Sequence, residues 1–218
     1  MAELVFDCVG AAAERYAVTP AMTLRLRIAE TTGARVDAIA LRVQLRVEPH
    51  RRRYSAAEAE RLHDLFGDPG RWAESVKPLQ FNTLSTMIPG FTGSVEQDLQ
   101  VPCTYDLEIA STRYFAALDD GIIPLLLLFS GTIFSVRDGK LTVQQVPWSS
   151  ETAFGLPAAV WRETVDLHFP DSAWLRVSRS TLDELQRFKS RNALPTWDST
   201  LTELLGAVRE PVRPLPRE

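Results

Sequence analysis

Asp119-Asp120-Gly121-Ile122-Ile123-Pro124, followed by Leu125–Phe129 and then Ser130-Gly131-Thr132-Ile133-Phe134, decides the fold class of this chain. Asp-Asp-Gly is turn chemistry, and the apolar run behind it reads as a strand buried on both faces. That run is far shorter than the ~20 residues a membrane-spanning helix needs. The sequence on either side alternates apolar and polar residues, so the stretch marks the centre of a β-rich core.

Working outward, Leu4, Phe6 and Cys8 alternate with Val5 and Asp7 as a short first strand. Met22, Leu24, Leu26 and Ile28 alternate with Thr23, Arg25 and Arg27, and Val36, Ile39, Leu41, Val43, Leu45 and Val47 continue the rhythm beyond the turn Thr31-Thr32-Gly33. Period-two alternation is the mark of a half-buried strand. The short turn makes these two stretches expected antiparallel neighbours, and the slip between Val36 and Ile39 suggests a bulge. Further strands are read over Leu79–Ile88, from Val101 to at least Leu107, over Ile122–Phe134 and over Leu141–Val146. Residues 110–118 fit either strand or helix.

Ser55-Ala56-Ala57-Glu58 fits a capping box and opens an inserted helix over 56–66, with Trp72 folding back as its anchor. Leu156-Pro157-Ala158 opens a helix with Val160, Thr164 and Leu167 on one face. Thr181 is read as the cap of a second C-terminal helix and Thr200 as the start of a third. The expected architecture is α+β: an antiparallel β-sandwich of about seven strands with an inserted helix and C-terminal helices. Residues 1–150 form the sandwich, 151–208 the helices packed on it, and 209–218 a flexible tail containing Pro211, Pro214 and Pro216.

Composition narrows function mainly by exclusion. The chain has 218 residues, 45% hydrophobic and 24% charged, with a net charge of −4. Bulk charge therefore favours neither nucleic acid nor an anionic membrane. The N-terminus lacks a basic leader region, no segment is expected to enter a membrane, and the protein is expected to be soluble and cytoplasmic. Two cysteines, Cys8 and Cys103, read as free buried thiols in a reducing compartment, with one disulfide as the alternative. His50, His63 and His168 fall in no metal-ligand spacing. Ser130 sits in an apolar strand rather than at a nucleophile elbow. Asp119-Asp120 reads as a turn former, with cation or acid–base chemistry as the lesser reading. No catalytic residue, metal ligand or cofactor is assigned, and the chain is expected not to be an enzyme.

Two surfaces and one pocket are candidates. His50-Arg51-Arg52-Arg53-Tyr54 reads first as a solvated connector, with docking of a phosphate or a carboxylate-rich protein as the second reading and single-stranded nucleic acid as the least. Phe91, in Pro89-Gly90-Phe91-Thr92-Gly93-Ser94, either tucks inward or serves as a contact residue. Trp148, Trp161 and Trp174 either cement helices onto a sheet or line a pocket for a small molecule or lipid.

Several blocks resemble an uncharacterised actinobacterial family of unknown function: Glu48–Tyr54, Pro89–Ser94, Val101–Asp106, Asp120–Phe134, Gln145–Trp148, Val160–Thr164 and Leu194–Asp198. The likeness spans nearly the whole chain. Genes of that family lie near those of nickel–iron hydrogenases, so the resemblance implies a hydrogenase accessory role with a hydrogenase subunit or maturation factor as partner. It implies no catalytic or binding residue. The chain has no nucleotide loop, cysteine motif or histidine-rich nickel tract, which sets it apart from factors that insert metal directly. Protein binding is thus the first expectation, and a Trp-lined ligand pocket the alternative.

Overall fold

The computed structural model describes residues 2–104, 109–137, 139–172 and 175–209. Among the described residues eight strands lie in two antiparallel sheets, against the about seven that the alternation suggests. The first sheet has the order β1 (Leu4–Ala13), β2 (Ala21–Glu30), β5 (Ser94–Pro102). In the second, β4 (Leu79–Phe91), β3 (Val36–Val47), β6 (Ile122–Arg137) and β7 (Lys140–Gln145) follow in order, and β8 (Glu151–Pro157) also pairs with β6. The apolar sides of the two sheets face each other across a single core, where Phe6 of β1 stacks on Phe129 of β6 at 4.3 Å.

The two strands flanking Thr31-Thr32-Gly33 are not neighbours, contrary to expectation: β2 pairs with β1 and β5, while β3 pairs with β4 and β6. A short link between amphipathic strands can close a hairpin or cross from one sheet to the other, and local sequence does not choose. Here the Glu30 carboxylate gathers the N–H groups of Glu3 (3.1 Å) and Ala34 (2.8 Å) and holds the crossing in place. The register shift in β3 falls at Leu45/Arg46, opposite Phe81, rather than between Val36 and Ile39.

The stretch Ile122–Phe129 is buried on one face only. Ile123, Leu125, Leu127 and Phe129 point into the core, whereas Leu126 and Leu128 are half-covered and Ser130 is exposed. β6 is 16 residues long and shares its outer edge between two strands, β8 along its first half and β7 along its second. Gly131 sits at the changeover with φ +147°, and a Cβ there would lie 2.1 Å from the Ala40 carbonyl oxygen, so only glycine fits.

Ser55 and Glu58 form the expected capping box on α1 (Ala56–Arg61), which α2 (His63–Phe66) continues. Trp72, opening α3 (Trp72–Ser75), packs edge-on against Tyr54 and Phe66, as expected of an anchor. Residues 110–116 are helical (α4, Ala110–Ala116), and β5 ends at Pro102, so the strand expected from Val101 onward is cut short. Its Tyr105 and Leu107 lie outside the described residues. The β8 segment was not expected as a strand, because its alternation is brief and interrupted by Gly155.

Pro157 precedes α5 (Ala158–Asp166) as its cap rather than standing inside it. The helix buries Ala158, Trp161, Thr164 and Val165, while Leu167, expected on that face, is exposed. The chain divides into two compact units, Met1–Trp174 and Leu175–Glu218, so β8 and α5 belong with the sandwich and not with the C-terminal helices. The second unit holds α6 (Arg179–Arg191) and α7 (Trp197–Arg209). Ser178, not Thr181, caps α6 by accepting the Thr181 N–H, and α7 begins before Thr200. The tail expected over 209–218 lies outside the described residues apart from its first. Among the described residues no helix is long and apolar enough to cross a membrane.

Candidate functional site

The basic connector leaves β3 through a single 3-10 turn, Pro49–Arg51, and the three arginines then part company. Arg51 stays at the surface with its Nε 2.6 Å from Glu48 Oε2, and Arg53 is exposed. Arg52 turns inward. It donates to Glu58 Oε1 (2.5 Å), to the Asp120 carbonyl (2.5 Å) and to the Ile122 carbonyl (2.9 Å). Its guanidinium thereby ties the inserted helix to the Asp119-Asp120-Gly121 turn, and Gly121, with φ +88°, lies directly against it.

Most of the surrounding groups are engaged, although the Arg52 Nε is buried without a hydrogen-bond partner among the described residues. Burial pushes the Glu58 carboxyl up, but the N–H groups of Ser55 and Asp119 and the Arg52 guanidinium more than offset this and hold it below the usual carboxylate range. Tyr54 donates to the Pro49 carbonyl (2.7 Å) and meets the Tyr114 hydroxyl at 2.9 Å. Burial raises both phenols, Tyr114 to about 12, so they stay neutral. Asp119 pairs with Arg61 and Asp120 with Arg162. This network fastens one end of the sandwich, and every acid in the turn already has a cation. The turn reading of Asp119-Asp120 accordingly describes it best.

Phe91 is buried at the end of β4, with the turn to β5 formed by Thr92-Gly93, so it presents no contact at a loop tip. The two described tryptophans of the alternative pocket reading are not brought together as a common lining. Trp161 is 3% exposed inside the core against Phe115, while Trp148 is 94% exposed and encloses nothing. Trp174 lies outside the described residues.

The cysteines and His168 are held within the fold. Cys8 and Cys103 are free, and burial pushes their thiols up to about 11 and about 12. His168 meets the Ala17 carbonyl at 2.9 Å through Nε2, while His50 and His63 are exposed. Among the described residues no group of three or more His, Cys, Asp or Glu is placed to hold a metal ion.

The arch carrying Trp148 is the feature that sequence reasoning missed. Val146 donates to Gly131 (2.9 Å), Ser150 O accepts from Phe129 N (2.9 Å), and Ser150 N closes the turn on the Pro147 carbonyl (3.0 Å). Both feet of the arch are therefore pinned to β6, and Pro147 stiffens its entry. Beside it runs a groove of about 580 Å³ lined in part by Leu4, Phe6, Gln144 and Ser149. The signal available in the sequence was Pro147-Trp148-Ser149-Ser150, turn residues around an aromatic between two strands.

A profile described as a family of unknown function (DUF6084) matches residues 1–213. The chain belongs to that family. No curated protein matches the chain. DUF6084 membership assigns no role to any of these residues.

Proposed function

We propose that this protein is a non-enzymatic accessory or scaffold protein that works in the cytoplasm by binding another protein. The observation that carries this reading is Trp148, almost fully solvated on an arch whose two feet are hydrogen-bonded to β6. The backbone that carries this large aromatic is fixed before any partner arrives, and tryptophan is among the commonest anchors of protein interfaces. Exposed Arg51 and Arg53 offer a second, charged contact. The likeness of the sequence blocks to the actinobacterial family encoded near nickel–iron hydrogenases makes a hydrogenase subunit or maturation factor the partner to test.

The test is affinity purification of the tagged chain from its native host under hydrogenase-inducing conditions, quantified by mass spectrometry. Recovery of hydrogenase subunits that falls with Trp148→Ala supports the reading. Recovery of the chain alone, from wild type as from the variant, removes it.

A further inference from the structure

The outer faces of the two sheets differ in kind. On the three-stranded sheet, Arg25 pairs with Asp98 across β2 and β5 (2.9 Å) and Arg27 with Asp7 across β2 and β1 (3.4 Å), a self-neutralised surface made for water. On the five-stranded sheet, Met87, Leu141 and Val143 are exposed and Leu126, Leu128 and Phe134 are only half-covered. The cross-strand pairs Phe134–Val143 and Ala40–Met87 place these groups on one continuous side. Arg42 and Arg46 rise from β3 in the middle of it, and among the described residues no carboxylate pairs with either.

We infer that this face is the docking surface for an amphipathic helix of a partner protein that carries two acidic residues about two turns apart. The inference rests on the protein-binding reading and names the surface and the chemistry. The inner strands β3 and β6 are hydrogen-bonded on both sides, so their face offers side chains alone. An extended segment laid on it would leave its own N–H and C=O groups unpaired against apolar surface, whereas a helix satisfies its backbone internally. Helix on sheet is also the ordinary way such a face is covered.

Charge selects the occupant. Residues 42 and 46 lie on the same side of β3, about 13 Å apart at the rise of a strand. Seven or eight residues of helix span about 11 Å, which puts acidic groups at i and i+7 or i+8 within reach of both guanidiniums. A second copy of this chain docked by the same face would bring four guanidiniums together around an apolar contact, and like charges at an interface are strongly disfavoured.

Site-specific photocrosslinking in the native host tests this. The photoreactive amino acid p-benzoylphenylalanine replaces exposed Ser130 or Ser85, the two cross-strand neighbours of Arg42, and in a control replaces Gln100 on the other sheet. The expected crosslinked peptide comes from a different protein, is helical in pattern and carries the two acids. Its yield falls more than tenfold with Arg42→Glu plus Arg46→Glu and returns when the two partner acids are changed to Lys. A crosslink to another copy of this chain, to a segment without the acids, or one unmoved by charge reversal overturns the inference. So does crosslinking from position 100 alone while a partner still co-purifies, an outcome that leaves the protein-binding reading standing. Failure of any partner to co-purify removes that reading first.

Discussion

Arg52 Nη2 lies 2.5 Å from Glu58 Oε1, with side-chain exposures of only 10% and 6%. Removing one member leaves the other charged and desolvated, which costs about 3–5 kcal/mol for a buried pair. Arg52→Met is therefore expected to destabilise the fold strongly. Arg52→Met combined with Glu58→Gln should recover part of the loss. Urea denaturation followed by tryptophan fluorescence measures both, and equal midpoints for wild type and Arg52→Met would show that the pair does not fasten this end of the sandwich.

Trp148 should behave in the opposite way. Its side chain touches too little protein to matter for folding, so Trp148→Ala should change stability by less than about 0.5 kcal/mol. Partner recovery should fall about tenfold or more, the range of an interface anchor. A variant that unfolds easily, or one that binds as well as wild type, speaks against the arch as a contact.

Gly131 marks a place where two backbones meet. With φ +147° and the Ala40 oxygen 2.1 Å from where a Cβ would go, Gly131→Ala forces β3 and β6 apart. A loss of about 3 kcal/mol or more is expected, since strain and lost packing add. The check is the thermal midpoint of purified protein, or the soluble fraction on expression if the variant does not accumulate.

Acid should loosen the crossing from β2 to β3 between the sheets. The Thr32 hydroxyl, outweighing the opposing effect of burial and joined by the N–H groups of Glu3, Thr32 and Ala34, holds the Glu30 carboxyl down to about 2 from an ordinary value of 4.5. A depressed folded-state pKa means stability that is fully present above 4.5 and is lost as pH falls toward 2. Glu30→Gln should be less stable than wild type at pH 7 and should show a smaller further loss over that window. Parallel pH profiles of the two proteins would weigh against the role.

Thiol reactivity offers a readout that does not rely on a denaturation midpoint. Cys8 and Cys103, raised to about 11 and about 12, should react with iodoacetamide at pH 8 far more slowly in the folded protein than after denaturation. Rapid native alkylation of Cys103 would mean that its strand end opens readily.

Much of the local structure was legible in the chain. The alternation in β2 and β3, the capping box at Ser55 and Glu58, and the anchoring return of Trp72 are each written in one short stretch of sequence, and each stands in the folded protein. The arginine run 51–53 was legible only as charge. That Arg52 points inward follows from carbonyls of Asp120 and Ile122 that arrive from nearly seventy positions away.

By itself, then, the sequence determined that the protein is β-rich with helical additions, because hydrophobic periodicity reports which side of each strand avoids water. Periodicity does not report which strand lies alongside. Only the tertiary structure decided that β2 and β3 belong to different sheets, that Phe91 and Trp161 enter the core, and that Trp148 does not. It also decided that Arg25 and Arg27 meet carboxylates across their sheet while, among the described residues, Arg42 and Arg46 meet none, although all four stand at equivalent polar positions of alternating strands. The difference arises from the partner strands, whose registers place Asp98 and Asp7 beside one pair and Ser85, Ser130, Gln80 and Leu126 beside the other.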